Sequence, residues 1–455
     1  MHHPPEDLVA KLKAHNQLHV LTAWDGLDND ARAALVAQIR SLDLDLLAKL
    51  YANRDATYTL PPGEQIIPLP DILPDAPDPE AKKLGEQALA RGEVAVLLVA
   101  GGQGTRLGFD HPKGMFQVGP VTGKSLFQIH AEKVLARSRR HGHVIPFLVM
   151  TSDVTHEETV AFFEEHKHFG LPATEVFFFR QGTMPALDLA TGKLLMDSPG
   201  RLFLGPDGHG GTLTALASTG LLELLHGRGI QHIFYFQVDN PLVKIADPQF
   251  IGQHIRAKAD VSSKAIPKDG PHDRLGNFVL IDGKLSMIEY SDLPEALANA
   301  TDGKGQLRFR AGSPAIHVFD VEFLRRITAG YALGLPFHLA RKKVPYWDSD
   351  TGTHVQPQKE NALKFERFIF DVLPLAQRSV TVFTARNEEF APLKNASGAD
   401  SPEVVRKALS DLAADWLRRA GANVDGEGEL NPLTTLEPDD LRGRFPSAAK
   451  VKGLV

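Results

Sequence analysis

Hydrophobic and polar positions change their spacing four times along the chain. Up to about residue 52 the apolar side chains recur at helical intervals, in DLVAKLKAH (7–15), ARAALVAQIRSL (31–42) and LDLLAKLY (44–51), with charged residues on the other faces. Residues 60–79, LPPGEQIIPLPDILPDAPDP, are rich in proline and predict an extended strap over the surface. Asp78 then reads as a helix N-cap with Pro79 at the first helical position and Gly92 closing the helix. From residue 94 short apolar runs alternate with amphipathic helices: VAVLLVA (94–100), IPFLVMT (145–151), EVFFFRQ (175–181) and IFYFQVD (233–239). That alternation predicts a mostly parallel sheet with helices on both faces. Between about 260 and 320 the rhythm becomes that of hairpins, with NFVLID and LSMIEY turning at Asp282-Gly283 to form a sheet extension that covers a substrate. After about 376 come a strand (VTVFTA), the loop FAPLKNA, a helix (SPEVVRKALSDLAADWLRRAG) and a polar tail. The expected fold class is α/β with a Rossmann-like core over 93–375, a helical N-terminal segment over 1–92 and a small C-terminal α+β domain over 376–455.

The most informative stretch is AGGQGTRLGFDHPK, residues 100–113, which follows the first buried strand. Gly101 and Gly102 end the strand in a tight turn, and Gly102 and Gly104 let backbone N–H groups approach a phosphate or a base. Thr105 adds a hydroxyl, Arg106 a forked cation and Lys113 a point charge. A dinucleotide fingerprint fails here, because its third glycine falls on Leu107. A P-loop fails at Gly123-Lys124-Ser125, because Val118 stands where its first glycine belongs. Ser125 instead reads as a helix N-cap with Gln128 completing a capping box. The spacing that remains is G-x-G-T-R-L followed by P-K, a nucleotidyltransferase loop.

In an open parallel sheet ligands lie beyond the carboxyl ends of the strands. The loop residues follow the first such strand, Gln181 follows EVFFF, and Asp239 follows IFYFQV. Three polar sites at three strand ends agree with one cleft. Each residue also has a plainer reading. Gln181 alone is more often a surface amide, and Asp239-Asn240-Pro241 also suits an Asx turn. Lys364 lies in NALKFERFIFDVL, a stretch read as helical, where a lysine is usually a solvated face residue.

Composition narrows the classes. A net charge of −6 without a basic stripe argues against a nucleic-acid partner. The chain has no cysteine, which excludes thiolate chemistry and suits a reducing cytoplasm. No apolar run approaches a membrane span, so no membrane partner is expected.

Beyond the loop, PKGMFQVG (112–119), KSLFQIHAEKVL (124–135), MTSD (150–153), RQGTMPA (180–186), PDGHGG (206–211), VDNPLVKIADPQFIG (238–252), IEYSDL (288–293), KFERFIFD (364–371) and FAPLKNA (390–396) are long and specific. On these the chain resembles the eukaryotic-type UDP-N-acetylglucosamine pyrophosphorylases, within the wider UDP-sugar pyrophosphorylase family, from about Leu97 to Asn395. The resemblance implies a uridylyltransferase with a nucleotidyltransferase core. A sugar 1-phosphate attacks the α-phosphorus of UTP in line, giving UDP-sugar and pyrophosphate. It implies Arg106 and Lys113 on the triphosphate, Lys364 on the sugar phosphate and Asp239 on Mg²⁺. Uracil would be read by Gly102, Gly208 and the Gln181 amide, with Gly101, Gly104 and Thr105 completing the nucleotide site and Lys394 a further candidate phosphate contact.

The hexose is assigned to His209, Gly276, Glu289 and Ser313. Gly276 and Glu289 match the N-acetylglucosamine branch, whereas His209 replaces the Asn of P-D-G-N-G-G and Ser313 that of N-A-G-N. The long motifs therefore favour N-acetylglucosamine 1-phosphate, and the two local departures leave glucose 1-phosphate or a broad-specificity enzyme as the alternative. A nicotinamide oxidoreductase fails on the missing fingerprint. A non-catalytic nucleotide-sugar-binding relative would have lost the charges of Arg106, Lys113 or Asp239, and all three are present.

Overall fold

The computed structural model describes residues 3–55, 60–329, 335–446 and 449–455. The chain forms two compact units, each assembled from separated segments: Pro61–Gln181, Thr212–Leu333 and Phe370–Val455 in the larger, and Met1–Leu60, Gly182–Gly211 and Gly334–Ile369 in the smaller. These divisions differ from the sequence boundaries at 92 and 375. Periodicity reports local elements, and it is silent on which distant segments pair.

Seven strands carry the centre of the larger unit: β1 (Val94–Val99), β2 (Phe147–Thr151), β3 (Val176–Arg180), β4 (His232–Gln237), β5 (Val261–Pro267), β6 (His317–Asp320) and β7 (Ser379–Phe383). The run β4-β1-β2-β3 is parallel, as the alternation of apolar strands and helices predicts. On its other side β4 pairs antiparallel with β6, and β6 antiparallel with β5, so β5 points the same way as β4. β7 lies parallel to β5. All strands except β6 therefore present their carboxyl ends at one edge.

Both faces are covered. Val96, Leu98, Phe147, Val149, Phe234 and Phe236 join a core with Leu126, Ile129 and Val134 of helix Leu126–His141 and Phe250 and Ile251 of helix Pro248–Ala257. The alternate residues Leu97, Leu148 and Tyr235 are equally buried, which a strand achieves only when its second face is packed too. Helix Pro79–Ala90 crosses Pro248–Ala257 where Gly85 and Gly252 leave no room for a Cβ: one would meet the Pro248 and Ala81 carbonyl oxygens at 1.9 and 1.6 Å.

Local signals in the sequence are realised here. Asp78 accepts the Ala81 N–H with Pro79 in the first turn, and Gly92 adopts φ 72°. Ser125 accepts the Gln128 N–H, but the Gln128 side chain turns to Glu132 (2.9 Å), so only half of the expected capping box forms. Asp282 and Gly283 both take positive φ in the turn of hairpin Asn277–Ile281/Lys284–Ile288. The proline-rich strap is extended: Ile66–Pro68 pairs with Asn277–Ile281, and Leu73 bridges to Val382. The polar tail is not loose. Strand Asn423–Glu429 pairs in parallel with Lys450–Leu454, and the buried Glu429 carboxylate accepts the Val121 and Thr122 N–H groups (2.9 and 2.8 Å).

In the smaller unit, helices Glu6–Ala14, Asn29–Ser41 and Leu44–Ala52 share a core with short hairpins: Leu8, Leu12, Leu35, Ile39 and Leu47 meet Leu187, Met196, Leu202, Leu363 and Phe365. The Gln17 amide clips the 187–194 turn by donating to Gly192 O (3.0 Å) and accepting from Leu194 N (2.9 Å). Lys364 is not helical, contrary to the sequence reading. It sits on strand Ala362–Glu366, between His338–Lys342 and Leu187–Asp188. Leu363 and Phe365 enter the core while Lys364 and Glu366 are only half-buried, the period of two that a strand imposes.

Candidate active site

The glycine-rich loop is built where β1 ends. Ala100 N–H still donates to Met150 O (2.8 Å), and the chain then turns at Gly101. Neighbouring strand ends converge on that residue. Ser152 Oγ, just past β2, donates to Gly101 O (2.8 Å), and the Gln181 amide oxygen, just past β3, lies 2.5 Å from where a Gly101 Cβ would stand. The loop closes on itself through Lys113 N–H to Gly102 O (3.0 Å). Gly104 is packed against Phe109, whereas the corresponding side of Gly102 is open, as contact with a ligand requires. Thr105 and Arg106 are exposed and Lys113 is half-buried. Among the described residues neither cation makes an ion pair, so both charges are available to a polyanion.

Asp239 follows β4 at the same edge. Its main-chain oxygen accepts the Leu393 N–H (2.8 Å), which brings the FAPLKNA loop and Lys394 to this strand end. Asn240 secures the join: its amide donates to Glu389 O (2.7 Å) and accepts from Ala391 N (3.1 Å) and Leu242 N (3.3 Å). Beneath it the fully buried Glu389 carboxylate is held by Lys264, by Thr384 Oγ1 (2.6 Å) and by Lys244 N–H (3.0 Å). Lys133 donates to Pro241 O (2.6 Å) and Val243 O (2.9 Å), and burial lowers its ammonium to about 7. Asn240, Glu389, Lys264 and Ser152 were missed in the sequence. Asn240 and Ser152 sit beside expected residues at strand ends, the one signal that pointed to them.

The Asp239 carboxylate makes no ion pair among the described residues, and no group of three or more His, Asp or Glu side chains there could hold a metal. A carboxylate at the same sheet edge as the glycine-rich loop fits Mg²⁺, which retains waters and takes most of its other ligands from substrate phosphates.

The predicted hexose residues of the larger unit also come together. Asn277 pairs with Ile288 and with Gly312, and Gly312 pairs with Ile266 one residue before the end of β5. Gly276 and Glu289 therefore stand opposite each other at the base of the hairpin, and Ser313 N–H donates to Gly276 O (2.9 Å). Lys268, just past β5, donates to Asn277 Oδ1 (2.8 Å) and adds a largely buried ammonium that the sequence reading overlooked.

Gly208, His209 and Lys364 belong to the smaller unit. Gly208 (φ 87°) and Gly210 press on the Arg367 backbone, so the PDGHGG turn lies directly on the end of the Lys364 strand. His209 stacks on Phe368 (5.2 Å between centroids), and its Nδ1 accepts the Ile369 N–H (3.1 Å). Burial, followed by the charge of His338, lowers its pKa to about 4, so the ring is neutral at ordinary pH and keeps that acceptor. The Lys364 ammonium lies over Gly205, whose missing side chain leaves it room, and makes no ion pair among the described residues.

A mostly parallel α/β sheet with a cationic glycine-rich loop at its carboxyl edge defines a nucleotide-binding transferase core. The family model described as UTP–glucose-1-phosphate uridylyltransferase matches residues 52–409, and the chain belongs to that family. The chain is 41% identical over 376 residues to the UDP-N-acetylglucosamine pyrophosphorylase of Saccharomyces cerevisiae, covering 80% of this chain and 79% of the relative. It is 36% identical to UDP-N-acetylglucosamine diphosphorylase 2 of Arabidopsis thaliana, with 92% and 86% covered. Among solved structures, that of the uridine diphosphate N-acetylglucosamine pyrophosphorylase from Trypanosoma brucei in complex with inhibitor superposes with a TM-score of 0.83 at 28% identity, over 96% of this chain and 94% of that one.

Proposed function

We propose that the chain transfers the uridylyl group of UTP to N-acetylglucosamine 1-phosphate, releasing pyrophosphate. The observation that carries this is the convergence of Gly101, Ser152 and Gln181 from three strand ends beneath a loop whose Arg106 and Lys113 make no ion pair among the described residues. Support for the N-acetylated sugar comes from the relatives, whose names specify it at 34–41% identity. The accommodation of His209 by the Ile369 N–H removes one reason for favouring glucose.

The chemistry asks little of a general base, since the attacking phosphate is already ionised. Positioning and charge neutralisation carry the rate. Arg106 and Lys113 hold the triphosphate and steady the departing pyrophosphate, with Gly101, Gly102, Gly104, Thr105, Gln181 and Gly208 on the nucleotide. Lys364 receives the sugar phosphate, Lys394 is a further phosphate contact, and Gly276, Glu289, Ser313 and His209 address the hexose. Asp239 would hold Mg²⁺, which when bound shields the charge that opposes approach of two polyanions. We place the activity in the cytoplasm, in keeping with a chain without cysteine. No helix among the described residues is long and apolar enough to cross a membrane.

The test is pyrophosphate release from UTP and Mg²⁺ with the 1-phosphates of N-acetylglucosamine, N-acetylgalactosamine, glucose and galactose. N-acetylglucosamine 1-phosphate should give the highest kcat/KM. A preference for glucose 1-phosphate would replace this reading by its alternative, and UTP binding with no turnover of any sugar would leave a nucleotide-sugar-binding relative.

A further inference from the structure

The loop that follows Asp239 lines a cavity of about 50 Å³ inside the larger unit. Besides that loop (241–245), the cavity touches helix Leu126–His141, helix Pro402–Arg419 and the tail segment 429–436. Ile129, Leu409, Leu412 and Leu436 make its walls apolar. Its free polar groups are donors. Lys133 and Arg137 stand four residues apart, on one face of their helix. Lys133 gives two of its three protons to Pro241 O and Val243 O and makes no ion pair among the described residues, so one N–H is left over. Arg137 pairs with Glu437 through Nη1 (2.8 Å), while its buried Nε has no partner among the described residues. The indole N–H of Trp416, also buried, has none either. Lys244 and Glu429 line the cavity as well, but both are engaged elsewhere: Lys244 with Glu388, and Glu429 with the Val121 and Thr122 N–H groups.

We propose that this cavity is a binding site for a short aliphatic carboxylate, an effector that acts on the loop following Asp239. Three unused donors, two of them on cations, call for an acceptor that carries negative charge. The apolar walls call for a body without further polar groups, because a polar group buried there without a partner is costly. Phosphate and sulfate bring more oxygens than these donors can satisfy. The volume holds about four water-sized groups, which is the size of acetate or propanoate and too small for a sugar phosphate. Water alone would satisfy the donors but leave Lys133 without a counter-charge. The route to the active site is short. Lys133 already grips the loop by Pro241 O and Val243 O, and Asn240 and Asp239 come directly before Pro241.

The probe is sodium acetate on the full chain, compared with propanoate, hexanoate, acetamide and chloride at equal ionic strength. Acetate and propanoate should raise the melting temperature along a saturating curve. Hexanoate is too long and acetamide uncharged, so neither should do so, and chloride should give only the effect of salt. Trp416→Phe keeps an aromatic ring and loses the N–H, so its affinity for acetate should fall about tenfold or more, the loss of one hydrogen bond to a charged group. If that variant does not fold, Leu412→Phe, which fills the cavity and leaves every donor in place, should abolish the shift. Acetate should also lower the Mg²⁺ concentration that gives half the maximal rate, a readout that rests on the proposed activity as the melting curves do not. No shift beyond that of chloride, an equal shift with acetamide, or an undiminished shift in the folded variant overturns the site. An unchanged Mg²⁺ response at saturating acetate overturns the effector role. A wild type that binds acetate but turns over no sugar overturns the proposed function and leaves the site standing.

Discussion

Replacing Asn240 by alanine should damage both stability and turnover. The side chain is buried, and it makes three hydrogen bonds to main-chain groups: Glu389 O (2.7 Å), Ala391 N (3.1 Å) and Leu242 N (3.3 Å). A buried donor or acceptor left unsatisfied costs about 1–3 kcal/mol. Counting only the two shorter bonds, Asn240→Ala should lose about 3 kcal/mol. The same join carries the Leu393 N–H to Asp239 O bond, so the Asp239 carboxylate would lose its fixed height above the sheet. A misplacement of about 1 Å at a reacting centre costs on the order of 100-fold in rate. Asn240→Asp retains both acceptor contacts and loses the donor, so it should fall between wild type and alanine. Urea unfolding measures the first effect and pyrophosphate release at several Mg²⁺ concentrations the second. A folded Asn240→Ala protein with wild-type midpoint and wild-type rate would show that the join between the two loops does not position the site.

Lys113→Ala should reduce kcat by about 100- to 1,000-fold, the usual effect of removing one preorganised charge from a transition state. Its melting temperature should barely change, because Lys113 makes no ion pair among the described residues; an undiminished rate would remove it from the mechanism. Gly101→Ala sets a methyl 2.5 Å from the Gln181 amide oxygen and must displace that amide, so the KM for UTP should rise about tenfold, roughly one lost hydrogen bond. An unchanged KM would dissociate Gln181 from uracil. His209 has a folded pKa of about 4 against about 6.5 unfolded, so below pH 6.5 the unfolded chain takes up a proton that the folded ring refuses. The wild type should therefore lose stability relative to His209→Asn as pH falls from 6.5 toward 4, by on the order of 1 kcal/mol once the shift is discounted for a ring that is only half-buried by its exposed surface. Parallel pH–stability curves would contradict the burial. The same variant should keep the N-acetyl to glucose ratio within about threefold, well under one tenfold step of 1.4 kcal/mol, since Asn can accept the Ile369 N–H.

What could be read from the sequence was what neighbouring residues decide. A strand ending in Gly101-Gly102, a serine cap at 125 and an Asp-Gly turn at 282 are set by local backbone preferences, and all three formed. The strand-end rule likewise located Gln181 and Asp239, because direction along a parallel sheet follows from alternating strands and helices. Lys364 was misread because Leu363 pairs with Leu187 and Arg341, partners that no local pattern names. The two-residue alternation of Leu363, Lys364, Phe365 and Glu366 was there, but it was outweighed by the apolar run after it. The acidic and basic residues that secure the site, Glu389 and Lys264, are more than a hundred residues apart, and each alone looks like a surface charge. His209 reads in the sequence only as a departure from the Asn of P-D-G-N-G-G, because its acceptor contact with the Ile369 N–H comes from a residue 160 positions away.

The central claim is that this chain joins a sugar phosphate to the α-phosphorus of UTP. It is tested most directly with N-acetylglucosamine 1-phosphate carrying ¹⁸O in its phosphate. Attack on the α-phosphorus predicts UDP-N-acetylglucosamine that retains every labelled oxygen, one of them in the bridge between its two phosphorus atoms, and pyrophosphate free of label. Labelled oxygen in the released pyrophosphate, or no nucleotide sugar at all from a folded protein with Mg²⁺ present, would contradict it.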